Sequence, residues 1–190
     1  MRTVIYSMGV SLDCYIAGPG GNEWGVPDAE LHRFHNEQAR ELGLHLLGRG
    51  LYEVMAFWET AEERNPSAGS LSELDEVQLE FARIWKQLPK LVFSKSLEAV
   101  EGNARLSRGD PVQTVRALKA EEGGPIAVGG AELAATLTAH QLIDEYHVFV
   151  YPVALGGGKP FFAGHTRVEL ELLETRTFGN RVVYLRYRRA

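Results

Sequence analysis

Two stretches of the chain run from apolar residues through glycines into a helix-forming segment, and both have the composition of a phosphate-holding turn. In Leu46-Leu47-Gly48-Arg49-Gly50-Leu51-Tyr52-Glu53, backbone N–H groups at a helix start can face an anion, and Arg49 adds a planar fork of donors. The same string also serves a plain strand-to-helix turn with Arg49 in solvent. In Ile126-Ala127-Val128-Gly129-Gly130-Ala131-Glu132-Leu133, the glycine pair leaves room where a Cβ would collide with a pyrophosphate. A tight turn needing positive φ is the competing reading, and the third glycine of the spaced dinucleotide fingerprint is absent. Leu91-Val92-Phe93-Ser94-Lys95 ends an apolar run on a hydroxyl and an ammonium, which beside Arg49 suit a ribose phosphate.

A third region supplies carboxylates. Ser11-Leu12-Asp13-Cys14-Tyr15-Ile16-Ala17-Gly18, followed by Trp24 and Pro27-Asp28-Ala29-Glu30, pairs a small-residue segment that a flat ring can lie against with three candidate proton donors, Asp13, Asp28 and Glu30. Asp28 reads equally well as a helix cap, and Glu30 as a solvated side chain. Leu155-Gly156-Gly157-Gly158-Lys159 is either a turn or a flap over a ligand. The six histidines show no ligand spacing, and His32 and His35 read as surface residues. The single cysteine, Cys14, excludes an intrachain disulfide and a thiolate cluster, so no metal is expected. Ser11 lacks His and Asp companions, which argues against nucleophilic catalysis.

The whole chain narrows the field further. With 190 residues, 45% hydrophobic and 24% charged, one core is expected, hence one domain over residues 1–190. A formal charge of −5 repels polyanions, so the expected partner is a small molecule and not nucleic acid. The first residues lack the long apolar core of a signal peptide or membrane span, which predicts a mature chain starting near Met1, no membrane partner and a cytoplasmic location.

Hydrophobic spacing and Gly/Pro punctuation then predict the elements that position these residues. A strand over Arg2–Ser7 is followed by an extended Leu12–Ile16. A helix capped by Asp28 runs to about Leu42, presenting Leu31, Phe34, Gln38 and Leu42 on one face. A strand at Leu44–Gly48 leads into a helix over Tyr52–Trp58. The stretch Glu59–Ser72, with Asn65–Ser70 at its centre, reads as loop. A helix over Leu74–Gln87 ends before Pro89. Strands at Lys90–Ser94, Ala104–Leu106 and Pro125–Val128 alternate with helices at Pro111–Glu121 and Ala131–Leu137, which argues for a mostly parallel sheet covered on both faces. Strands at Glu145–Val153, Glu169–Phe178 and Arg181–Arg188 follow, the last two joined as a hairpin at Gly179-Asn180. Tyr146 to Tyr151 is apolar and aromatic on both faces, suiting an interior or interface strand, and motivates the expectation of a homodimer.

Taken in order over nearly the whole chain, Ser11–Gly18, Leu47–Glu53, Val92–Ser94, Val128–Leu133 and Leu155–Phe162 resemble the dihydrofolate reductase superfamily, especially the branch related to the reductase domain of bacterial riboflavin biosynthesis. The resemblance implies a three-layer α/β/α fold with a central, mostly parallel mixed sheet and a C-terminal antiparallel hairpin. It implies NADPH across the carboxyl ends of the strands, with Gly48, Arg49, Gly50, Ser94 and Lys95 near the adenosine phosphate. Val128, Gly129, Gly130, Ala131, Glu132 and Leu133 would form the pyrophosphate turn, and Ile16 and Ala17 would border the nicotinamide. Asp13, Trp24, Asp28 and Glu30 would lie toward the substrate, with Leu155 and Gly156 beside it. Leu51 stands where dihydrofolate reductases usually place a Thr, so preference for NADPH rests on Arg49 and Lys95. The activity implied is hydride transfer from NADPH to a small, pterin- or pyrimidine-like substrate. The alternatives are 5-amino-6-(5-phosphoribosylamino)uracil reductase and a non-catalytic nucleotide-binding module.

Overall fold

In this computed structural model, residues 1–63, 75–164 and 166–190 are described. In chain order the elements are β1 (Val4–Val10), β2 (Tyr15–Ala17), α1 (Ala29–Glu41), β3 (Leu44–Gly48), α2 (Arg49–Met55), α3 (Glu76–Gln87), β4 (Lys90–Phe93) and β5 (Ala104–Ser107). There follow α4 (Pro111–Ala120), β6 (Ile126–Gly129), α5 (Ala131–Ala139), β7 (Glu145–Val150), β8 (Lys159–Pro160), β9 (Leu170–Thr177) and β10 (Val183–Arg189).

Eight strands form one sheet in the order β5-β4-β3-β6-β1-β7-β10-β9, while β2 and β8 pair separately. The strands from β5 to β7 are parallel and β10 and β9 are antiparallel, as expected for a mostly parallel sheet with a terminal hairpin. The first strand therefore sits at the centre, flanked by β6 and β7. Helices α4 and α5 pack one face, where Tyr6, Val115, Val128, Leu137 and Tyr146 are buried together. On the opposite face Leu31 of α1 meets Phe149 and Tyr184, and Trp85 of α3 meets Leu47 and Val92. This is the three-layer arrangement that alternating strands and helices require, because each apolar sheet face must be covered.

Local chemistry sets where helices begin. Asp28, Asp75 and Asp110 each accept a hydrogen bond from a first-turn amide of α1, α3 and α4, at 2.8–2.9 Å. In α2 and α5 the corresponding residues are Gly48 and Gly130, which bring no side chain to the orphan amides.

Several sequence expectations need correction. Leu12–Ile16 is not continuously extended: Cys14 adopts φ 66° and its amide bonds the Ser11 carbonyl, turning the chain before β2. The helix expected over Tyr52–Trp58 starts at Arg49 and tightens into a 3₁₀ turn over Ala56–Glu59. Strand β7 ends at Val150 instead of Val153. On α1 the expected face does meet the sheet, with Leu31 and Phe34 packed on Phe149 and Tyr184 and Gln38 donating to the Tyr184 hydroxyl, but His32 and Asn36 are buried as well, which the spacing did not indicate. The loop expected at Asn65–Ser70 and the helix start at Leu74 lie outside the described residues. The apolar Tyr146–Tyr151 run is accounted for by its place between β1 and β10 inside the sheet.

Candidate active site

The parallel strands β3 and β6 are neighbours, and Leu47 pairs with Gly129 at their carboxyl ends. The uncapped starts of α2 and α5 therefore lie side by side. Gly130 has φ 102°, and a Cβ built there would stand 3.8 Å from the Gly48 amide nitrogen. A Cβ at Gly129 would come within 2.4 Å of Leu51 Cδ2 and 3.1 Å of His45 Nε2. Leu51, Leu47 and His45 already fill the room beside Gly129. Gly130 is held by its positive φ and leaves the space over the Gly48 amide clear of a side chain, where the first-turn N–H groups and the positive ends of two helix dipoles come together. Within the second glycine motif, Val128 and Ala131 are buried, Leu133 faces the core, and Glu132 is exposed with Lys159 Nζ 3.5 Å away.

Beyond this junction, cations gather at the ends of β3, β4 and β5. Arg49 Nε meets Glu53 at 2.7 Å and its Nη1 donates to Ser96 Oγ at 2.8 Å. The Ser94 hydroxyl accepts from the Ser96 and Leu97 amides, so Ser94 shapes the turn instead of facing outward. Lys95 is exposed, and Gly50 has open space around it. Arg108, not singled out by the sequence, clamps this turn by donating to the Lys95 and Leu97 carbonyls at 2.8 Å each.

The three carboxylates taken as proton donors are all engaged structurally. Asp28 caps α1. Glu30 accepts from the Gly179 amide and from Arg176, and these contacts hold its carboxyl below the usual range. Asp13 accepts from the Leu155 and Gly156 amides at 2.7–3.1 Å. The nearby Ser11 hydroxyl and these amides pull the Asp13 carboxyl down to about 2. It fastens the glycine-rich loop to the turn before β2. That same loop comes so close that a Cβ at Gly158 would lie 2.1 Å from the Ala17 carbonyl oxygen. Ile16 is buried, and Trp24 is half-buried edge-on to Tyr151, its indole N–H sealed and without a partner among the described residues.

A cavity of about 600 Å³ opens between α1 and the sheet. Its floor mixes apolar and polar side chains of the sheet, among them Ile5 and Ser7 at alternate positions of β1, Ala127 of β6 and Glu145 and His147 of β7, while Trp58 and Phe81 wall one side. His32, His35, His45 and His147 all line it. The expectation that His32 and His35 are surface residues is therefore overturned. His32 is buried, edge-on to Trp58 and Phe81, and its Nδ1 is 3.2 Å from Asn36 Oδ1. The His35 ring lies 4.4 Å from that of Phe149. Burial, aided by His32, holds His35 down to about 4, and burial, aided by Lys90, does the same to His45. On the floor, Glu145 sits 2.9 Å from His147 Nε2, and His147 Nδ1 is 3.1 Å from the Tyr184 hydroxyl. Helical spacing alone cannot show that a helix covers a polar floor, so the sequence held no signal for this cavity. No group of His, Cys, Asp and Glu able to hold a metal occurs among the described residues.

Comparison with known proteins gives consistent results. A family model described as the RibD C-terminal domain matches residues 2–184. YyaP, an uncharacterized protein of Bacillus subtilis (strain 168), is 28% identical over 192 residues, covering 98% of this chain and 94% of its own. The crystal structure of a putative riboflavin biosynthesis protein from Shewanella sp. PV-4 superposes with TM-score 0.68 at 20% identity, over 100% of this chain and 99% of that one. Dihydrofolate reductase from Enterococcus faecalis, complexed with NADP(H), gives TM-score 0.62 at 15% identity, over 98% and 96%. The fold is thus dihydrofolate reductase-like.

Proposed function

We propose, from the premise that the chain belongs to the RibD C-terminal domain family, that it is a reductase that uses NADPH to reduce a small molecule bound beneath α1. The observation that carries this reading is the meeting of two uncapped helix starts, Gly48 and Gly130, at adjacent strand ends. A Cβ at Gly130 would fill the space above the Gly48 amide, so the glycines fit a group as bulky and as anionic as a pyrophosphate. The Enterococcus faecalis relative of the same fold was solved with NADP(H), which supports the choice of dinucleotide.

When bound, NADPH supplies a hydride to the substrate. The chain's own residues bind and orient. Gly48, Gly129 and Gly130 would hold the pyrophosphate, while Arg49, which donates to Ser96, and Lys95 would select the adenosine phosphate. The cavity would hold the second reactant next to this junction, because His45, one of its lining residues, puts Nε2 3.1 Å from where a Cβ on Gly129 would stand. Since Asp13, Asp28 and Glu30 are each committed to backbone amides, the balancing proton comes from water admitted to the cavity.

Calorimetric titration tests this reading. NADPH is expected to bind at least tenfold more tightly than NADH, and Arg49→Met to lose most of that preference. Absence of heat with either dinucleotide would end the proposal.

A further inference from the structure

The cavity beneath α1 carries a sharper reading, which rests on the reductase assignment only for calling its occupant a substrate. Among the described residues that line it, four carboxylates, Glu37, Glu41, Glu145 and Glu174, stand against one guanidinium, Arg186. That guanidinium is committed to Glu145, with Nε and Nη2 donating at 2.9 and 3.1 Å. Histidines could in principle add positive charge. Burial instead keeps His35 and His45 uncharged at neutral pH and pushes His147 the same way.

A phosphate monoester carries between one and two negative charges near pH 7. Inside this cavity it would face carboxylates and find no free cation among the described lining residues, which disfavours it. Hydrogen-bonding capacity is ample by contrast. Neither the His35 nor the His45 ring has a protein hydrogen-bond partner among the described residues, and each neutral imidazole offers one donor and one acceptor. The walls are flat and aromatic, with Trp58 and Phe81 4.9 Å apart and His32 edge-on to both. A volume of about 600 Å³ is ample for a one- or two-ring compound.

We propose that this cavity takes an uncharged, flat heteroaromatic ligand hydrogen-bonded by His35 and His45, and turns away phosphate esters of the same ring. The phosphoribosyl pyrimidine that the sequence raised as an alternative substrate is then excluded by charge.

The test uses matched pairs. Uridine and 6-hydroxymethylpterin, each against its own phosphate monoester, are titrated into the wild-type protein at pH 7 by calorimetry, while the histidine ring protons are followed by NMR. At least one neutral compound is expected to bind tenfold or more tightly than its ester and to shift the His35 and His45 resonances. His45→Phe is expected to weaken that neutral compound about tenfold while leaving the ester unchanged. An ester that binds as well as its alcohol, binding that leaves both resonances unmoved, or no binding of either alcohol below 1 mM on the order of a weak ligand, would each overturn the proposal. A separate NADPH titration keeps the two readings apart. Neutral-ligand binding without NADPH binding sinks the reductase assignment and leaves the cavity's selectivity standing, and the reverse result does the opposite.

Discussion

The Cδ2 atom of Leu51 lies 2.4 Å from where a Cβ on Gly129 would be, so the first turn of α2 occupies the room that a side chain at the end of β6 would take. Leu51 is half-buried and its tip is flexible, whereas Leu47 Cδ2, 3.0 Å from the same point, belongs to a fully buried residue. Gly129→Ala is therefore expected to lower thermal stability modestly and to weaken NADPH at least tenfold. Adding Leu51→Ala should restore the melting temperature without restoring binding. Recovery of both together would show that the glycine matters only for packing.

Lys90 opens β4 with its side chain sealed from solvent, its ammonium 2.9 Å from Glu59 and donating to the Trp85 and Leu88 carbonyls at the end of α3. Burial lowers its pKa while Glu59 raises it, and burial prevails. Lys90→Met alone strands the Glu59 carboxylate and is expected to cost about 3–5 kcal/mol in urea unfolding. The double change Lys90→Met with Glu59→Gln should recover a large part of that loss. Equal destabilisation by the single and double changes would disprove the coupling.

The two uncharged imidazoles set a pH dependence. His35 and His45 are held down to about 4 in the folded chain, whereas an unfolded chain binds protons at the ordinary histidine value of 6.5. Their contribution is thus fully present above pH 6.5 and is lost as pH falls from there toward 4, at up to about 1.4 kcal/mol per pH unit for each ring. Urea midpoints measured from pH 7 to 4.5 should fall along this course. In His45→Phe the slope should be visibly shallower, and an unchanged slope would rule out the assignment.

Asp13 should act on loop motion more than on global stability. Asp13→Ala removes the acceptor for the Leu155 and Gly156 amides, and hydrogen exchange at those two positions is expected to quicken at least tenfold while the unfolding midpoint barely shifts. Because its carboxyl is held down to about 2, the wild-type clasp should show no loosening between pH 8 and pH 4. Loosening within that range would mean that something other than the carboxylate fastens the loop.

Much of the framework was legible because its punctuation is local. Asp28 announces a helix start, Pro89 ends one, and Gly179-Asn180 closes the hairpin, each through neighbours within a few residues. The glycine junctions were legible for the same reason. What escaped was non-local. Asp13 and Leu155 are 142 residues apart, and Glu30 and Gly179 are 149 apart, so nothing in either neighbourhood betrays that these carboxylates are occupied. His32 and His35 looked solvated because helical spacing does not reveal the composition of the sheet below. Cys14 gave no warning of φ 66°, a conformation that the Ser11–Cys14 hydrogen bond imposes on a residue that seldom adopts it.

Placing β1 between β6 and β7 has a consequence for biosynthesis. Strand β1 leaves the ribosome well before both of its lateral partners, which lie within residues 126–150, so neither of its edges can be satisfied until those residues are made. Until then Val4, Tyr6 and Val10 are an apolar ribbon without a lining, open to mispairing with other nascent chains. Slowing translation ahead of residue 126 should therefore lengthen chaperone occupancy, whereas a pause after residue 150 should not.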